Sequence, residues 1–252
     1  MSGHSKWSTI KHKKGAADAK RSKVFTKVIR EITVAAKMGG EDPDSNPRLR
    51  SAIVLAKSVN MPNDNVSKAI KKGVGGGKGE NWETLSYEGY GPHNVAVIVE
   101  CLTDNKNRTI SSVRSIFSKN NGNIGSTNSV MYMFDRKGII EVEKNSIDED
   151  ALTEHAIEAG ADDIDTSDEQ VYSIEAAPGD LGTVHQYLEE QGITISSSGL
   201  KLIPQNKLEI DDAGKASQVI RFIDALEDDD DVQNVYSNFD ITEDVLEQLE
   251  TL

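Results

Sequence analysis

Apolar residues recur every three or four positions between residues 18 and 38, a spacing that places them on one face of an α-helix. We therefore predict a first helix over residues 18–38. Its apolar face consists of Val24, Phe25, Val28, Ile29, Ile32, Ala35 and Ala36. The opposite arc is basic and consists of Lys20, Lys23, Lys27, Arg30 and Lys37, with Val34 as the one apolar residue among them. The pattern predicts a helix that buries one side and presents positive charge on the other.

Two shorter amphipathic helices are predicted over residues 47–59 and 63–72. Asn46 is a candidate N-cap for the first of them, and Pro47 suits the first helical position. Helices this short are stable only when their apolar faces pack together, so the three helices predict a small bundle. Gly73 is predicted to end the third helix, and the glycine-rich run 73–79 predicts a flexible linker.

The remainder of the chain alternates strand and helix patterns. Residues 94–102 form a nearly continuous apolar run, which predicts a strand covered on both faces. Further strands are predicted around 130–134, at 138–142 and 170–175, and near 199–203 and 232–236, with helices at 107–119, 150–158, 181–191 and 213–226. Repeated strand–helix–strand units predict two small α/β modules of the split-βαβ kind.

Electric charge is distributed very unevenly within a net charge of −14. Residues 1–80 contain 17 Lys+Arg and 7 Asp+Glu, whereas residues 81–252 contain 11 and 35. A basic end on an acidic chain is typical of a protein that binds a polyanion at that end. No apolar run is long enough to span a bilayer, and a single cysteine, Cys101, fits a reducing compartment. We expect a cytoplasmic protein that has no membrane partner and binds nucleic acid.

Residues 1–17 have neither helical nor strand periodicity, so we predict an extended arm. The candidate nucleic-acid-binding residues of this arm are Lys6, Trp7, Lys11, His12, Lys13 and Lys14. They join the five basic residues of the first helix as the predicted interface, because lysine and arginine neutralise phosphates and release counterions. Trp7 could stack on an unpaired base or pack the arm against the bundle.

Catalytic and cofactor chemistry has no candidate residues in the sequence. The run 73–79 does not match a phosphate-binding loop, because Lys72 and Gly79 occupy the positions that need glycine and a hydroxyl residue. The five histidines are scattered, which argues against a zinc site, and the acidic run 227–231 is interpreted as a solvated loop. Cys101 lies in an apolar strand and is interpreted as inert core. We expect no enzyme activity, no cofactor, no metal and no small-molecule substrate.

Several long segments of the chain resemble the YebC/PmpR family. They include GHSKWSTIKHKK at 3–14, AKRSKVFTKVIREI at 19–32, NPRLRSAIVLAK at 46–57, NMPNDNVSKAIKKG at 60–73, LTDNKNRT at 102–109 and DVQNVYSNFDI at 231–241. The resemblance covers essentially the full length. Its departures are Pro92, His93, Asn94 and Asn128, which occupy turns where more glycine is expected in the family.

The resemblance implies an α+β fold in which an N-terminal basic three-helix domain precedes two ferredoxin-like α/β domains, one inserted in the other. The implied boundaries are 1–80 for the arm, bundle and linker, 81–134 with 206–240 for the middle domain, 135–205 for the insertion and 241–252 for a C-terminal tail. Family members are described as DNA-binding transcriptional regulators, and also as translation factors that act at the ribosome.

Three functional interpretations remain open from the sequence. The basic surface could bind ribosomal RNA as part of a translation factor that relieves stalling or activates translation, or it could enter a groove of DNA. A protein scaffold with an incidental basic end is the third. The break at 60–62 lacks the glycine typical of a helix-turn-helix, which favours the ribosome and its RNA as partner over duplex DNA.

Overall fold

The computed structural model describes residues 17–75 and 82–250. These residues form two compact units, one containing 17–75 with 136–201 and the other containing 82–135 with 202–250. The chain is α+β, with three N-terminal helices followed by two four-stranded sheets that are packed against helices. No helix of the described residues is long and apolar enough to cross a membrane.

The N-terminal bundle consists of α1 (Ala17–Gly39), α2 (Pro47–Ser58) and α3 (Asn63–Val74). Its core is built from Val28, Ile32, Ala35, Ala36, Leu49, Ala52, Ala56, Met61 and Ala69. The Asn46 side chain accepts a hydrogen bond from the Leu49 amide at 3.1 Å, which confirms the predicted cap. Its amide group donates to the carbonyls of Ala35 and Gly40, both at 2.9 Å. The buried Asn46 therefore joins the end of α1 to the start of α2.

Gly73 lies inside α3 and is buried, so its prediction as the helix end and the first linker residue was wrong. A Cβ at this position would lie 2.4 Å from the carbonyl oxygen of Thr33 and 2.8 Å from the Cβ of Ala36. The absence of a side chain lets α3 approach the backbone of α1, which a local glycine pattern does not reveal. The linker residues 76–79 lie outside the described residues.

Seventeen further elements follow the bundle in chain order. They are β1 (Glu83–Tyr90), a 3-10 turn (Pro92–Asn94), β2 (Ala96–Thr103), α4 (Lys106–Lys119), β3 (Asn123–Ile124), a 3-10 turn (Met131–Met133), β4 (Phe134–Glu143), α5 (Glu149–Ala159), β5 (Asp163–Asp165), β6 (Val171–Ala176), α6 (Leu181–Glu190), β7 (Ile195–Pro204), β8 (Leu208–Ile210), α7 (Ala213–Glu227), β9 (Val232–Ser237), β10 (Phe239–Ile241) and α8 (Glu243–Glu250).

The sheet of residues 136–201 has the strand order β5-β6-β4-β7, and β6 pairs antiparallel with both β4 and β5. Its elements run β-α-β-β-α-β, which with this order is the ferredoxin-like arrangement. The alternate residues Ile140, Val142 and Ile174 pack with Leu152 of α5 and Leu188 of α6. Both helices therefore cover the same face of the sheet.

The sheet of the other unit has the order β3-β1-β2-β9, with every pairing antiparallel. Helices α4 and α7 pack on one face against Val95, Val97 and Val99, and Val245 of α8 joins the same core. The other face carries Ala96 and Ile98 in a second apolar cluster. The prediction of a strand covered on both faces is confirmed for β2.

The strand predicted around 130–134 was wrong, because Met131–Met133 is a 3-10 turn and β4 begins only at Phe134. A short apolar run is compatible with either a strand or a turn. Here the turn forms because backbone amides of this segment donate hydrogen bonds to the Glu88 side chain of β1. His93, Asn94 and Asn128 have φ values of 59°, 61° and 64°. These left-handed conformations are the ones that glycine adopts most easily, which explains why glycine was expected at these turns.

Candidate nucleic-acid interface

The predicted basic residues that the structure describes lie along α1. Lys23 and Lys37 are exposed, while Lys27 and Arg30 are half-buried. Each of the four makes at least one polar or electrostatic contact within the protein. The side chain of Lys20 lies outside the described residues, as do the arm residues Lys6, Trp7, Lys11, His12, Lys13 and Lys14. The structure thus brings together Lys23, Lys27 and Arg30 on successive turns of one helix, which we call the α1 basic face.

The apolar side of α1 agrees with the prediction except near its start. Val28 and Ile32 are buried in the bundle core, whereas Val24 is 39% exposed. Val34, predicted to lie among the basic residues, is only 2% exposed although it is not part of that core. The covered Val34 interrupts the basic arc between Arg30 and Lys37. The continuous part of the α1 basic face is therefore the stretch from Lys23 to Arg30.

Glu31 is the one acidic residue between positions 19 and 40, and it is neutralised by α2. Arg48 places Nε 2.5 Å from Oε1 and Nη2 2.9 Å from Oε2 of this carboxylate. A bidentate arginine–carboxylate pair is strong and directional because both bonds are charge-assisted. The pair keeps the Glu31 charge from offsetting the neighbouring lysines and links α1 to α2.

A second row of basic residues, not singled out from the sequence, lies on α3. Lys68, Lys71 and Lys72 are exposed, and their i, i+3, i+4 spacing places them on one side of the helix. Gly73 packs beside the amide of Lys37, so the basic ends of α1 and α3 are neighbours. Residues 17–75 contain 12 Lys+Arg and 6 Asp+Glu, which makes the bundle the positively charged part of the described chain.

The connection between α2 and α3 contains Asn60 with φ 55°. Asparagine adopts this left-handed conformation more readily than other non-glycine residues. Asn60 therefore takes the backbone conformation for which a helix-turn-helix commonly uses glycine. The missing glycine is not an obstacle to such a motif, contrary to the interpretation of the sequence.

The acidic run at the end of α7 is not simply solvated, because Asp231 is 4% exposed. Arg108 contacts both of its oxygens, with Nη2 at 2.8 and 2.9 Å, and Thr109 donates to it at 2.8 Å. The pattern of five consecutive acids could not distinguish this buried acceptor from its exposed neighbours. Asp231 fastens β9 to the start of α4 and has a structural role.

No group of three or more histidines, cysteines or carboxylates within 17–75 and 82–250 could hold a metal ion. Cys101 is fully buried in β2. The arrangement that remains is a positively charged helical surface, which can bind phosphates.

Comparisons with known proteins match this chain along almost its whole length. A model of the TACO1/YebC protein N-terminal domain matches residues 5–76, and a model of the TACO1/YebC second and third domain matches residues 82–239. A "probable transcriptional regulatory protein" of Desulfotalea psychrophila is 53% identical over 99% of both chains. One from Citrifermentans bemidjiense is 56% identical over 99% of this chain and all of its own. The crystal structure of a conserved hypothetical protein from Aquifex aeolicus has 47% identity and a TM-score of 0.82, covering 90% of this chain and 93% of its own.

Proposed function

The chain belongs to the TACO1/YebC family, and from that premise we propose that it is a non-enzymatic regulator of gene expression that binds nucleic acid through its N-terminal bundle. The α1 basic face carries the proposal. Three cations on successive turns, with the nearby Glu31 neutralised by Arg48, form a surface suited to a phosphate backbone. The acidic remainder of the chain confines a polyanion to this surface by repelling it elsewhere.

Within this function, we propose RNA of the ribosome as the target and translation as the regulated process. The basic residues of the bundle are lysine-rich, and lysine contacts phosphate as a point charge without reading bases. Such a surface suits the irregular backbone of folded RNA. The arm, with Trp7 among lysines, supplies a residue that could stack on an accessible base.

Transcriptional regulation through DNA is the second candidate. It is supported by the names of the relatives, which describe "probable transcriptional regulatory" proteins. The left-handed Asn60 supports it as well, because it removes an objection to a helix-turn-helix between α2 and α3. On the relatives' names alone, DNA is the favoured target, so the two candidates need a direct comparison.

The test compares co-sedimentation with ribosomes and titration of duplex DNA at matched salt. The variant combines Lys23→Gln, Lys27→Gln and Arg30→Gln, since neutral glutamines avoid placing carboxylates at the half-buried positions. Each lost phosphate contact should reduce the slope of log K against log salt by about 0.7 to 0.9, so the triple variant should flatten it by roughly 2 to 3. A chain lacking residues 1–17 measures the contribution of the arm.

A matched control neutralises three exposed cations of the acidic part of the chain, Arg114, Lys119 and Lys215. It removes the same charge, so an equal effect on binding would show that net charge matters and not the α1 basic face. Ribosome association that depends on the α1 basic face supports the translation function. Sequence-selective DNA binding without ribosome association would instead establish the transcriptional function.

A further inference from the structure

The segment between β3 and β4 lies on the sheet β3-β1-β2-β9. It covers the face that α4 and α7 leave free. Side chains alternate along β2, so Ala96 and Ile98 point away from the helix-covered core that contains Val97. Val130 and Phe134 pack onto Ala96 and Ile98 from the segment between β3 and β4. The 3-10 turn Met131–Met133 is therefore fastened to the sheet by apolar contacts on both of its sides.

A buried carboxylate holds the middle of the same segment. Glu88 of β1 is 4% exposed and pairs in register with Ile98. Its oxygens accept hydrogen bonds from the amides of Asn128 at 2.7 Å, Val130 at 3.0 Å and Met131 at 2.9 Å. A buried charge without such partners would be costly, and with three amide donors it sets the position of the backbone.

Two tyrosines are brought together by this anchoring. Tyr90 lies two residues beyond Glu88 on the same face of β1, and Tyr132 lies in the turn next to Met131. Burial raises the pKa of Tyr90 above its ordinary value, and the side chain of Tyr132 contributes to the same shift. Tyr132 is nevertheless 68% exposed and Tyr90 36% exposed. Two aromatic side chains thus stand at the surface on a backbone that is fixed from below.

The segment that carries Tyr132 is polar but uncharged. Residues 120–134 contain no Asp, Glu, Lys or Arg, although the unit as a whole is acidic. The segment carries Asn120, Asn121, Asn123 and Asn128, whose amides can both donate and accept hydrogen bonds. The charge of Glu88 is satisfied by backbone amides. This segment therefore contributes no charge that would repel a phosphate chain or attract a cationic peptide.

We propose that Tyr90 and Tyr132 form a platform on which unpaired nucleobases stack. The inference rests on the proposed nucleic-acid-binding function and adds a second, uncharged contact to the α1 basic face. Exposed aromatic side chains bind bases of single strands in this way, because every base offers a π-face. The platform selects unpaired over paired nucleic acid, whereas the lysines bind phosphates of either.

The test uses the full chain and a single-stranded RNA of about 12 nucleotides with one 2-aminopurine, whose fluorescence falls when it stacks. The same RNA annealed to its complement and the same sequence as single-stranded DNA are the comparison ligands. The variants are Tyr90→Ser with Tyr132→Ser, and Tyr90→Phe with Tyr132→Phe. Tyr187→Ser in α6 is the control for loss of a tyrosine elsewhere.

The serine pair should lose the quenching and about tenfold or more in affinity for the single strand, while binding the duplex as the parent does. The variant Tyr90→Phe with Tyr132→Phe should retain the fluorescence quenching and the affinity for the single strand, since stacking needs the ring and not the hydroxyl. Equal losses on single strand and duplex, or an equal loss in Tyr187→Ser, would overturn the platform. The platform alone is refuted if the triple glutamine variant of the α1 basic face weakens binding and the variant Tyr90→Ser with Tyr132→Ser does not. If the parent protein binds no strand at all, both proposals are refuted. Comparing the affinities for single-stranded RNA and single-stranded DNA shows which kind of nucleic acid the platform prefers.

Discussion

Replacing Gly73 with alanine tests the close approach of α3 to α1. In an isolated helix the change should stabilise by about 1 kcal/mol, because alanine has the higher helix propensity. Here the added Cβ would lie 2.4 Å from the Thr33 carbonyl oxygen, 2.8 Å from the Ala36 Cβ and 3.1 Å from the Lys37 amide nitrogen. Two of these atoms are backbone and cannot rotate away, so α3 must shift by about 1 Å to restore ordinary contacts.

Overpacking of a core costs about 1–3 kcal/mol, and contact with fixed backbone belongs to the upper part of that range. After the propensity gain is subtracted, Gly73→Ala should destabilise the bundle by about 1–2 kcal/mol. Hydrogen exchange of the α1 and α3 amides measures this directly, since about 1.4 kcal/mol corresponds to a tenfold loss of protection. The shift should also loosen the support of the α1 basic face and weaken nucleic-acid binding.

Gly182 supplies a matched control, because it lies in α6 and an added Cβ there meets nothing within 4 Å. Gly182→Ala should leave protection in the bundle unchanged and stabilise its own helix by up to about 1 kcal/mol. If Gly73→Ala instead increased the protection of α1 and α3, the close approach of the two helices would be refuted.

Two further predictions concern buried ionisable groups. Asp231→Asn should destabilise the sheet unit by about 2–3 kcal/mol, because the half-exposed Arg108 keeps Asp104 but loses its buried carboxylate partner. The exposed Asp230→Asn should change stability little. Equal effects of the two substitutions in urea unfolding, followed by exchange of the β2–β9 amides, would contradict this. Burial lowers the pKa of His185 below its ordinary value, against the opposing charge of Glu189. The folded state therefore resists protonation of His185, so the free energy of unfolding should fall as pH drops through about 6.5. In a pH series of unfolding midpoints, His185→Gln should remove that dependence. An unchanged pH dependence in the variant would exclude His185 as its source.

The local pattern of the chain determined its helices and its buried central strand. The periodicity of α1, the Asn46–Pro47 start of α2 and the apolar run of β2 depend on neighbours within a turn or a strand, so they can be read directly. The location of positive charge on α1 follows from the same periodicity. The family could be recognised because its sequence segments are contiguous.

The tertiary structure decided what depends on residues distant in the chain. Strand β1 is polar and alternates poorly, and it exists because β2 pairs with it along its whole length. Gly73, Asp231 and Glu88 resemble a linker, a solvated loop and a surface acid in sequence. Each is buried by a partner that folding alone brings near, because burial and hydrogen bonding are properties of the assembled layers and not of a residue's neighbours in sequence.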